Sequence, residues 1–284
     1  MSLRFATIAS SSSGNCVYVG TENTNILIDA GLSGKKVEEG LSSLGLTGND
    51  IDGIFVTHEH SDHVKGIGVL SRRYNIPIFA TEGTWGNMPS SIGQIRPNLM
   101  KDIYAEEYCA FNDLTIKPFE IPHDAAQPVG YTVGVNNAKI TIATDIGHIS
   151  DTVLENVKGS SLVLLEANHD VEMLQYGGYP QSLKSRILSD FGHLSNVNAG
   201  RLLDTVIDSS VKYVFLGHLS KENNTPRLAY DTVSKILTDN GAVFGGVFIM
   251  WVAPPEGVKI LIELVLIIYM REILVFLALN FWED

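Results

Sequence analysis

The run His58-Glu59-His60-Ser61-Asp62-His63 follows a short apolar segment, Gly53–Thr57, whose composition indicates a buried strand. In an extended chain, side chains two positions apart point to the same side, so His58 and His60 can leave the strand end together. Asp62 and His63 follow at the start of the next predicted helix. Packing does not explain this run, because burying so many polar groups without partners costs on the order of several kcal/mol. The run therefore predicts a metal site made of two pairs of ligands, in which imidazole suits zinc, iron or manganese.

Three further candidate ligands each follow a predicted strand: His123, Asp145 and His218. The carboxyl end of a strand is where a sheet gathers side chains, so we expect these three to join the first four. Asp145 has two carboxylate oxygens and can bridge two cations. Two metal ions roughly 3.5–4 Å apart hold and deprotonate a water and clamp a scissile oxyanion. The combined pattern predicts a dinuclear hydrolytic site.

The apolar runs rich in Val, Ile and Thr fall into two groups, with helical segments between and after them. The predicted strands are Phe5–Ile8, Cys16–Val19, Asn25–Asp29, Gly53–Thr57, Pro77–Ala80, Leu114–Ile121, Gly130–Val135, Lys139–Thr144, Leu162–Glu166 and Tyr213–Leu216. The predicted helices are Lys35–Leu44, Val64–Tyr74, Ser150–Asn156, Pro180–Ser189, Val197–Asp208 and Pro226–Asp239. This arrangement predicts a layered α/β architecture.

The composition argues against several classes of protein. The 284-residue chain has a formal net charge of −12, which argues against a broad polyanion-binding face, although bound divalent metals would add local positive charge. Its two cysteines, Cys16 and Cys109, form no CxxC pair, so neither a disulfide framework nor a thiolate zinc site is indicated. The amino terminus lacks the pattern of a secretory signal, and we expect a cytoplasmic protein.

The carboxyl-terminal segment Val258–Trp282 is strongly apolar, but Glu263, Arg271 and Glu272 interrupt it. No uninterrupted run reaches the roughly 18 apolar residues of a membrane span, and we expect none. Packed strands or a helix, an amphipathic surface segment, and an end unrelated to the rest of the chain are the open interpretations. We therefore divide the chain into one domain over residues 1–250 and an apolar segment of uncertain role over residues 251–284.

The order of these residues resembles the metallo-β-lactamase superfamily, with its HxHxDH motif at His58, His60, Asp62 and His63, followed by His123, Asp145 and His218. Asp29 matches the early aspartate of the superfamily. The resemblance covers roughly residues 5–249 and implies a four-layer αββα sandwich with the metal site at one edge of the sheets. It implies that His58, His60 and His123 hold one ion. Asp62, His63 and His218 would hold the second, Asp145 would bridge the two, and Asp29 would support the ligands through hydrogen bonds.

Within the superfamily the chain resembles the YycJ/WalJ group through Ser11-Ser-Ser-Gly-Asn-Cys16, Leu165-Glu-Ala-Asn-His-Asp170, Gly192-His-Leu-Ser195 and Gly217-His-Leu-Ser-Lys-Glu-Asn-Asn-Thr-Pro226. Members of that group are associated with 5′-to-3′ exonuclease activity on DNA, which implies phosphodiester hydrolysis with two divalent ions, zinc or manganese, with iron also open. The resemblance further implies that His193 protonates the leaving oxygen and that Asp62 is catalytic. His169 would support the site, and the predicted substrate contacts are Ser13, Asn15, Ser220 and Asn223. The segment Tyr176-Gly-Gly-Tyr-Pro180 is far too short to be the transfer-RNA arm of ribonuclease Z.

Two other functions stay open. A hydrolase of the same fold could act on a small cyclic phosphodiester, thioester or lactone, which the acidic composition favours. A mononuclear iron dioxygenase is a second alternative, against which the complete second ligand set counts. The expected partner is a nucleic acid, DNA rather than RNA, or a small phosphodiester, and a homo-oligomer is left open. To hold DNA, the basic residues would need to form a compact cationic strip, the candidates being Lys184, Arg186, Lys221 and Arg227.

Overall fold

The computed structural model describes residues 2–206, 211–241 and 249–265. In these ranges the strands are β1 Ser2–Ser11, β2 Gly14–Gly20, β3 Asn25–Ile28, β4 Gly53–Phe55, β5 Ile78–Ala80, β6 Met100–Asp102, β7 Cys109–Phe111, β8 Leu114–Glu120, β9 Val129–Val135, β10 Ala138–Ala143, β11 Leu162–Glu166, β12 Tyr213–Gly217, β13 Ile249–Val252 and β14 Ile262–Val265. The helices are α1 Gly34–Ser43, α2 Ser61–Val64, α3 Ile67–Tyr74, α4 Glu82–Asn87, α5 Asp151–Val157, α6 Val171–Tyr176, α7 Gln181–Ile187, α8 Asn196–Val206 and α9 Pro226–Asp239.

The strands form two sheets that pack face to face. The first sheet has the order β14-β1-β2-β3-β4-β5-β6, and the second has the order β13-β12-β11-β10-β9-β8-β7. Because successive side chains of a strand point to opposite faces, Phe5 and Leu164 enter the core between the sheets. Their neighbours Ala6 and Leu165 enter the outer cores, which pack against helices. The predicted four-layer αββα sandwich is confirmed.

Aromatic rings fill one region of the core between the sheets. Phe55 is fully buried, and its ring stacks on Phe79 with centroids 4.4 Å apart. The rings of Phe111 and Tyr131 meet Phe55 edge to face, at 5.4 and 6.0 Å. These offset and edge contacts are the favoured geometries for aromatic pairs, so Phe55 joins β4 to the strands around it.

Replacing Phe55 with alanine is expected to lower the free energy of unfolding by about 3–5 kcal/mol, because the substitution leaves a cavity among the surrounding rings. Urea denaturation followed by circular dichroism measures this loss. Tyr104→Ala is the matched control, since Tyr104 is 58% exposed. Its expected change is within about 0.5 kcal/mol. A loss of stability for Phe55→Ala no larger than that of the control would contradict this view of the core.

The single helix predicted over Val64–Tyr74 is wrong, because the structure contains two helices there. The first helix, α2, begins at Ser61, and the second, α3, begins at Ile67 after a break at Gly66. The amide of Gly66 donates to the carbonyl of Ala30, 2.7 Å away, instead of continuing the first helix. Because α2 begins at Ser61, Asp62 and His63 lie within it.

The carboxyl-terminal part of the described chain joins both sheets. Strand β13 pairs in parallel with β12, and β14 pairs antiparallel with β1. Residues 251–265 of the predicted apolar segment therefore take part in the sandwich, whereas residues 266–284 lie outside the described ranges. Residues 207–208 of the predicted helix Val197–Asp208 also lie outside them. None of the described helices is long and apolar enough to cross a membrane.

One edge of the sandwich brings strand ends of both sheets together. Ser11, at the end of β1, forms a bridge with Leu219, just beyond β12. The amide of His218 donates to the hydroxyl oxygen of Ser10 over 2.9 Å. The carboxyl ends of β3, β4, β10, β11 and β12 reach this edge, and it is there that the candidate ligands converge.

Candidate metal centre

Three predicted site residues directly follow strands in an uncommon backbone conformation. Asp29, Asp145 and His218 follow β3, β10 and β12, with φ angles of 61°, 60° and 55°. Residues other than glycine seldom adopt this left-handed region, although aspartate, asparagine and histidine do so more often than others. Such positions cost on the order of 1–3 kcal/mol and cluster at functional sites, where the surrounding structure fixes them. Four other described residues, Asn75, Glu106, Asn112 and Asn136, also have positive φ, so the conformation is consistent with the predicted site but does not identify it.

The first ligand group consists of His58, His60 and His123. His60 Nδ1 lies 3.0 Å from His58 Nε2 and 3.3 Å from His123 Nε2. Burial and the neighbouring His63 lower the pKa of His58 well below its ordinary value. A neutral imidazole is the form that binds a metal, so three converging ring nitrogens form a suitable set of donors.

The second ligand group consists of Asp62, His63 and His218. Asp62 Oδ2 lies 3.4 Å from His63 Nε2 and 3.6 Å from His218 Nε2. Asp145 stands between the two groups, with Oδ2 3.3 Å from His63 Nε2 and Oδ1 3.7 Å from His123 Nε2. One carboxylate therefore reaches both groups, as a bridging ligand must.

The charges of the second group favour added cations. The acidic side chains around it are Asp29, Asp62, Asp145 and Glu166. Burial alone would lower the pKa of His63, but Asp145 and its neighbours raise it well above its ordinary value. For His218, burial is likewise outweighed, and Asp145 leads the groups that raise the pKa to about 10. Both shifts have the same cause, a set of buried carboxylates that favours positive charge at this position.

Two buried atoms support the presence of metal at this edge. Asp145 Oδ2 and His218 Nε2 have no hydrogen-bond partner within the part of the chain that the structure describes. Buried polar atoms normally have one. Both atoms belong to groups whose donor atoms lie within 4.8 Å of one another. Imidazole nitrogen and carboxylate oxygen suit divalent zinc, manganese or iron, so the residues fit the metals that the sequence predicts.

Asp29 orients the candidate ligand His63 through a hydrogen bond to its ring. Its carboxylate accepts hydrogen bonds from the amide and the hydroxyl of Thr57, both at 2.8 Å. Its Oδ2 also lies 2.8 Å from His63 Nδ1. Because Nδ1 of His63 is engaged by Asp29, Nε2 is left for the ligand group, which is the usual arrangement behind a metal-binding histidine.

Glu166 is a functional residue that the sequence reasoning missed. Its Oε1 lies 2.7 Å from His218 Nδ1 and 2.8 Å from His193 Nδ1. Its Oε2 accepts from the amides of Ile146 and Leu194, at 2.8 and 3.0 Å. Burial would raise the pKa of Glu166, but His193 and His218 hold it well below its usual range. A carboxylate at the end of a buried strand was the available signal, the same one that identified Asp145.

A cavity of about 240 Å³ lies over the ligand groups and is bordered by Ser12, His60, Asp62, His123, Asp145, Asn168, Tyr179, Leu183, Arg186, Ile187, His193, His218 and Ser220. Both predicted catalytic residues, Asp62 and His193, border it. Nδ1 of His193 lies 2.8 Å from the Glu166 carboxylate, so Nε2 is the nitrogen that can meet a ligand in the cavity.

The predicted substrate residues are placed differently from one another. Ser220 borders the cavity as predicted. Ser13 is exposed and does not border the cavity, whereas its neighbour Ser12 does. Asn15 is buried, with Nδ2 3.1 Å from His63 Nε2, and therefore lies beside a ligand. Asn223 is buried as well, and its amide donates to the hydroxyl oxygen of Ser220 over 3.2 Å.

His169, predicted to support the site, is buried and does not border the cavity. Neither of its ring nitrogens has a hydrogen-bond partner among residues 2–206, 211–241 and 249–265. Burial lowers the pKa of His169 to about 4. The ring is therefore neutral near pH 7.

Three of the four candidate basic residues have partners within the protein. Arg186 is paired with Asp124, and Arg227 is paired with Asp231 one helical turn away. Lys184 donates to the carbonyl of Gln175 over 2.9 Å, and Lys221 is exposed. Arg186 is the one of the four that borders the cavity.

The fold and the ligand order define the class of protein. The family model described as the beta-lactamase superfamily domain matches residues 24–218. The chain therefore belongs to the metallo-β-lactamase superfamily. It is 45% identical to the exodeoxyribonuclease YycJ of Bacillus anthracis over 249 residues, which cover 87% of this chain and 94% of YycJ. It is 37% identical to the exodeoxyribonuclease WalJ of Streptococcus pneumoniae over 263 residues, 92% of this chain and 98% of WalJ. These identities confirm the resemblance to the YycJ/WalJ group.

A solved structure agrees on the fold. The metallo-beta-lactamase fold protein YhfI from Bacillus subtilis matches this chain with a TM-score of 0.69, covering 93% of this chain and 100% of YhfI. The sequence identity is 12%, so the likeness concerns the fold alone.

Proposed function

We propose that the protein is a dinuclear metal-dependent phosphodiesterase that degrades DNA from the 5′ end. The observation that carries this proposal is Asp145, whose two oxygens lie 3.3 and 3.7 Å from nitrogens of the two ligand groups. The exodeoxyribonucleases YycJ and WalJ, which match most of the chain, support the choice of DNA. A cytoplasmic location, where such a substrate is found, and a homo-oligomer stay predictions.

Two of the clusters of candidate ligands support an assignment of residues to each ion. His58, His60 and His123 would hold the first, and Asp62, His63 and His218 would hold the second. Asp145 would be shared between them. When bound, the two divalent ions, zinc or manganese, lower the pKa of a water and neutralise charge that develops on the scissile phosphate.

The remaining chemistry belongs to side chains that border the cavity. His193 donates the proton of Nε2 to the departing oxygen, and Glu166, 2.8 Å from Nδ1, stabilises the charged ring that donates it. Burial would raise the pKa of Asp62, but His63 and His218 hold it well below its usual range. Asp62 therefore stays a carboxylate, which can orient an attacking water by accepting a hydrogen bond.

Replacing Asp29 with asparagine is expected to weaken metal binding roughly 10- to 100-fold, as is usual when the partner of a ligating histidine is lost. Asparagine tolerates the left-handed backbone of this position, so the substitution tests the carboxylate rather than the turn. Competition with a chelating dye measures the affinity. Asp113→Asn is the control, because Asp113 accepts from Thr21 and Thr24 at the far ends of β2 and β3. A metal affinity of Asp29→Asn within about threefold of the wild-type value would show that the Asp29 carboxylate does not support metal binding.

Parallel assays with added manganese distinguish the proposed function from its alternatives. The substrates are 5′-labelled single-stranded DNA, bis-p-nitrophenyl phosphate, a cyclic nucleotide and a thioester. We expect cleavage of the DNA, with the label released first as a mononucleotide, and of the simple diester. Hydrolysis of the thioester or the cyclic nucleotide without cleavage of DNA would overturn the proposal. Oxygen consumption proportional to bound iron would instead support a dioxygenase.

A further inference from the structure

Three aromatic side chains from the end of α6 to the start of α8 are not used by the hydrolytic chemistry. Tyr176, Tyr179 and Phe191 form what we call the aromatic rim. Tyr179 borders the cavity over the ligand groups. Tyr176 is 81% exposed and Phe191 is 55% exposed. Tyr179 is half-buried, and Phe191 lies two residues before His193, which also borders the cavity. Exposed large aromatic rings this close along the chain to cavity residues indicate a binding surface rather than a packing element.

The backbone that carries Phe191 is held firmly against the ligand loops. The carbonyl of Phe191 accepts from the amide of Asp124, next to the ligand His123, over 3.1 Å. On the other side, a Cβ added to Gly147 would lie 2.2 Å from the carbonyl oxygen of Asp190, so only glycine allows this approach. His148 Nδ1 also lies 2.8 Å from that oxygen. The ring therefore projects from a fixed point two residues from His193.

An occupant of the rim must bind without help from the net charge of the molecule. The net charge of −12 opposes a polyanion, and Arg186, which borders the cavity, is paired with Asp124. Stacking of bases on aromatic rings needs no charge, and every base has a face that can stack. Of the three rings, Tyr179 borders the cavity that would receive the phosphate.

We propose that the aromatic rim stacks unpaired bases of a nucleic acid strand whose phosphodiester lies in the cavity. This inference rests on the proposed function and adds the part of the substrate that the rim binds, its unpaired bases. In a duplex the bases already stack on one another, so the rim engages a single-stranded end. A rim of this kind binds without reading sequence, because stacking is tolerant of base identity.

Steady-state kinetics on single-stranded DNA test the rim directly. Phe191→Ala is expected to raise KM roughly tenfold, since stacking on one ring contributes on that order, while kcat changes little. Phe191→Trp, which keeps an aromatic face, is expected to retain the wild-type KM. Tyr104→Ala is the matched control, because Tyr104 is 58% exposed and does not border the cavity.

Abasic DNA provides the second arm of the test. Removing the terminal bases is expected to raise KM of the wild type by a similar factor. Phe191→Ala is then expected to lose little more on the abasic strand, because the two changes remove the same contact. An unchanged KM for Phe191→Ala on intact DNA, or losses that simply add, would overturn the proposal.

A binding measurement separates failure of the rim from failure of the proposed function. Wild-type protein and Phe191→Ala are titrated, in EDTA, with a single-stranded oligonucleotide that carries 2-aminopurine at its 5′ end. Quenching by the wild type that is lost in the variant supports the rim even if no cleavage is found. Equal quenching by both proteins contradicts it. Dissociation of an oligomer in the variant, with unchanged DNA binding, would assign the rim to contact between protein chains.

Discussion

Replacing Asp145 with asparagine is expected to reduce DNA cleavage roughly a thousandfold, since metal ions supply several kcal/mol of stabilisation to the transition state. The bound metal is expected to fall below two ions per chain in the same preparation. Asp145 is the one carboxylate among the described residues whose oxygens lie near both ligand groups, at 3.3 and 3.7 Å. Asparagine has nearly the same shape but lacks the charge that would join two cations.

The Asp145→Asn substitution removes the charge of the side chain without changing the backbone conformation. The residue has a φ of 60°, and asparagine adopts this region with little strain, whereas alanine does not. Elemental analysis after gel filtration gives the metal content, and circular dichroism checks the fold. Asp113→Asn, remote from the site, is expected to keep both the metal and the activity. If Asp145→Asn retained two ions and most of its activity, Asp145 would not be the bridge.

Replacing His193 with alanine is expected to lower kcat on DNA by roughly 100- to 10,000-fold, the usual contribution of a general acid. Metal content is expected to stay at the wild-type level, because His193 is in neither of the two groups proposed to hold the ions, and its Nδ1 lies nearer to Glu166, at 2.8 Å, than to Asp145, at 3.8 Å. A substrate with a nitrophenolate leaving group needs no proton donor. The loss on bis-p-nitrophenyl phosphate is therefore expected to be much smaller than the loss on DNA.

The comparison of the two substrates decides the role of His193. Equal losses on DNA and on the nitrophenyl ester would contradict a proton donor and would favour a role in binding the phosphate. Tyr104→Ala is the control, since Tyr104 is 58% exposed and does not border the cavity. It is expected to leave both rates near those of the wild type.

The candidate ligands that the sequence predicted lie together in the structure because much of their geometry is local. His58 and His60 leave a strand end on one side of an extended chain, and Asp62 and His63 lie on the helix that follows. Asp145 follows β10 in the same way. The grouping of the apolar runs was likewise sufficient to predict a layered α/β architecture, whereas the four-layer sandwich was implied by the family resemblance.

Other features depend on contacts between residues distant in the chain. Glu166 acquires its role only when β11 lies between β10 and β12, so that its carboxylate meets His193 and His218. Asn15 matched a family motif, but the turn after β1 directs its side chain to His63, 48 residues away. The pairing of β14 with β1 joins residues about 260 positions apart, which no local pattern indicates.

The number of metal ions in the active protein tests the central claim most directly. Metal-free protein is titrated with manganese while bound metal and DNA cleavage are measured in the same samples. The account predicts that activity rises until two ions are bound per chain and then stays constant, since Asp145 joins two complete ligand groups. Full activity at one ion per chain would contradict it.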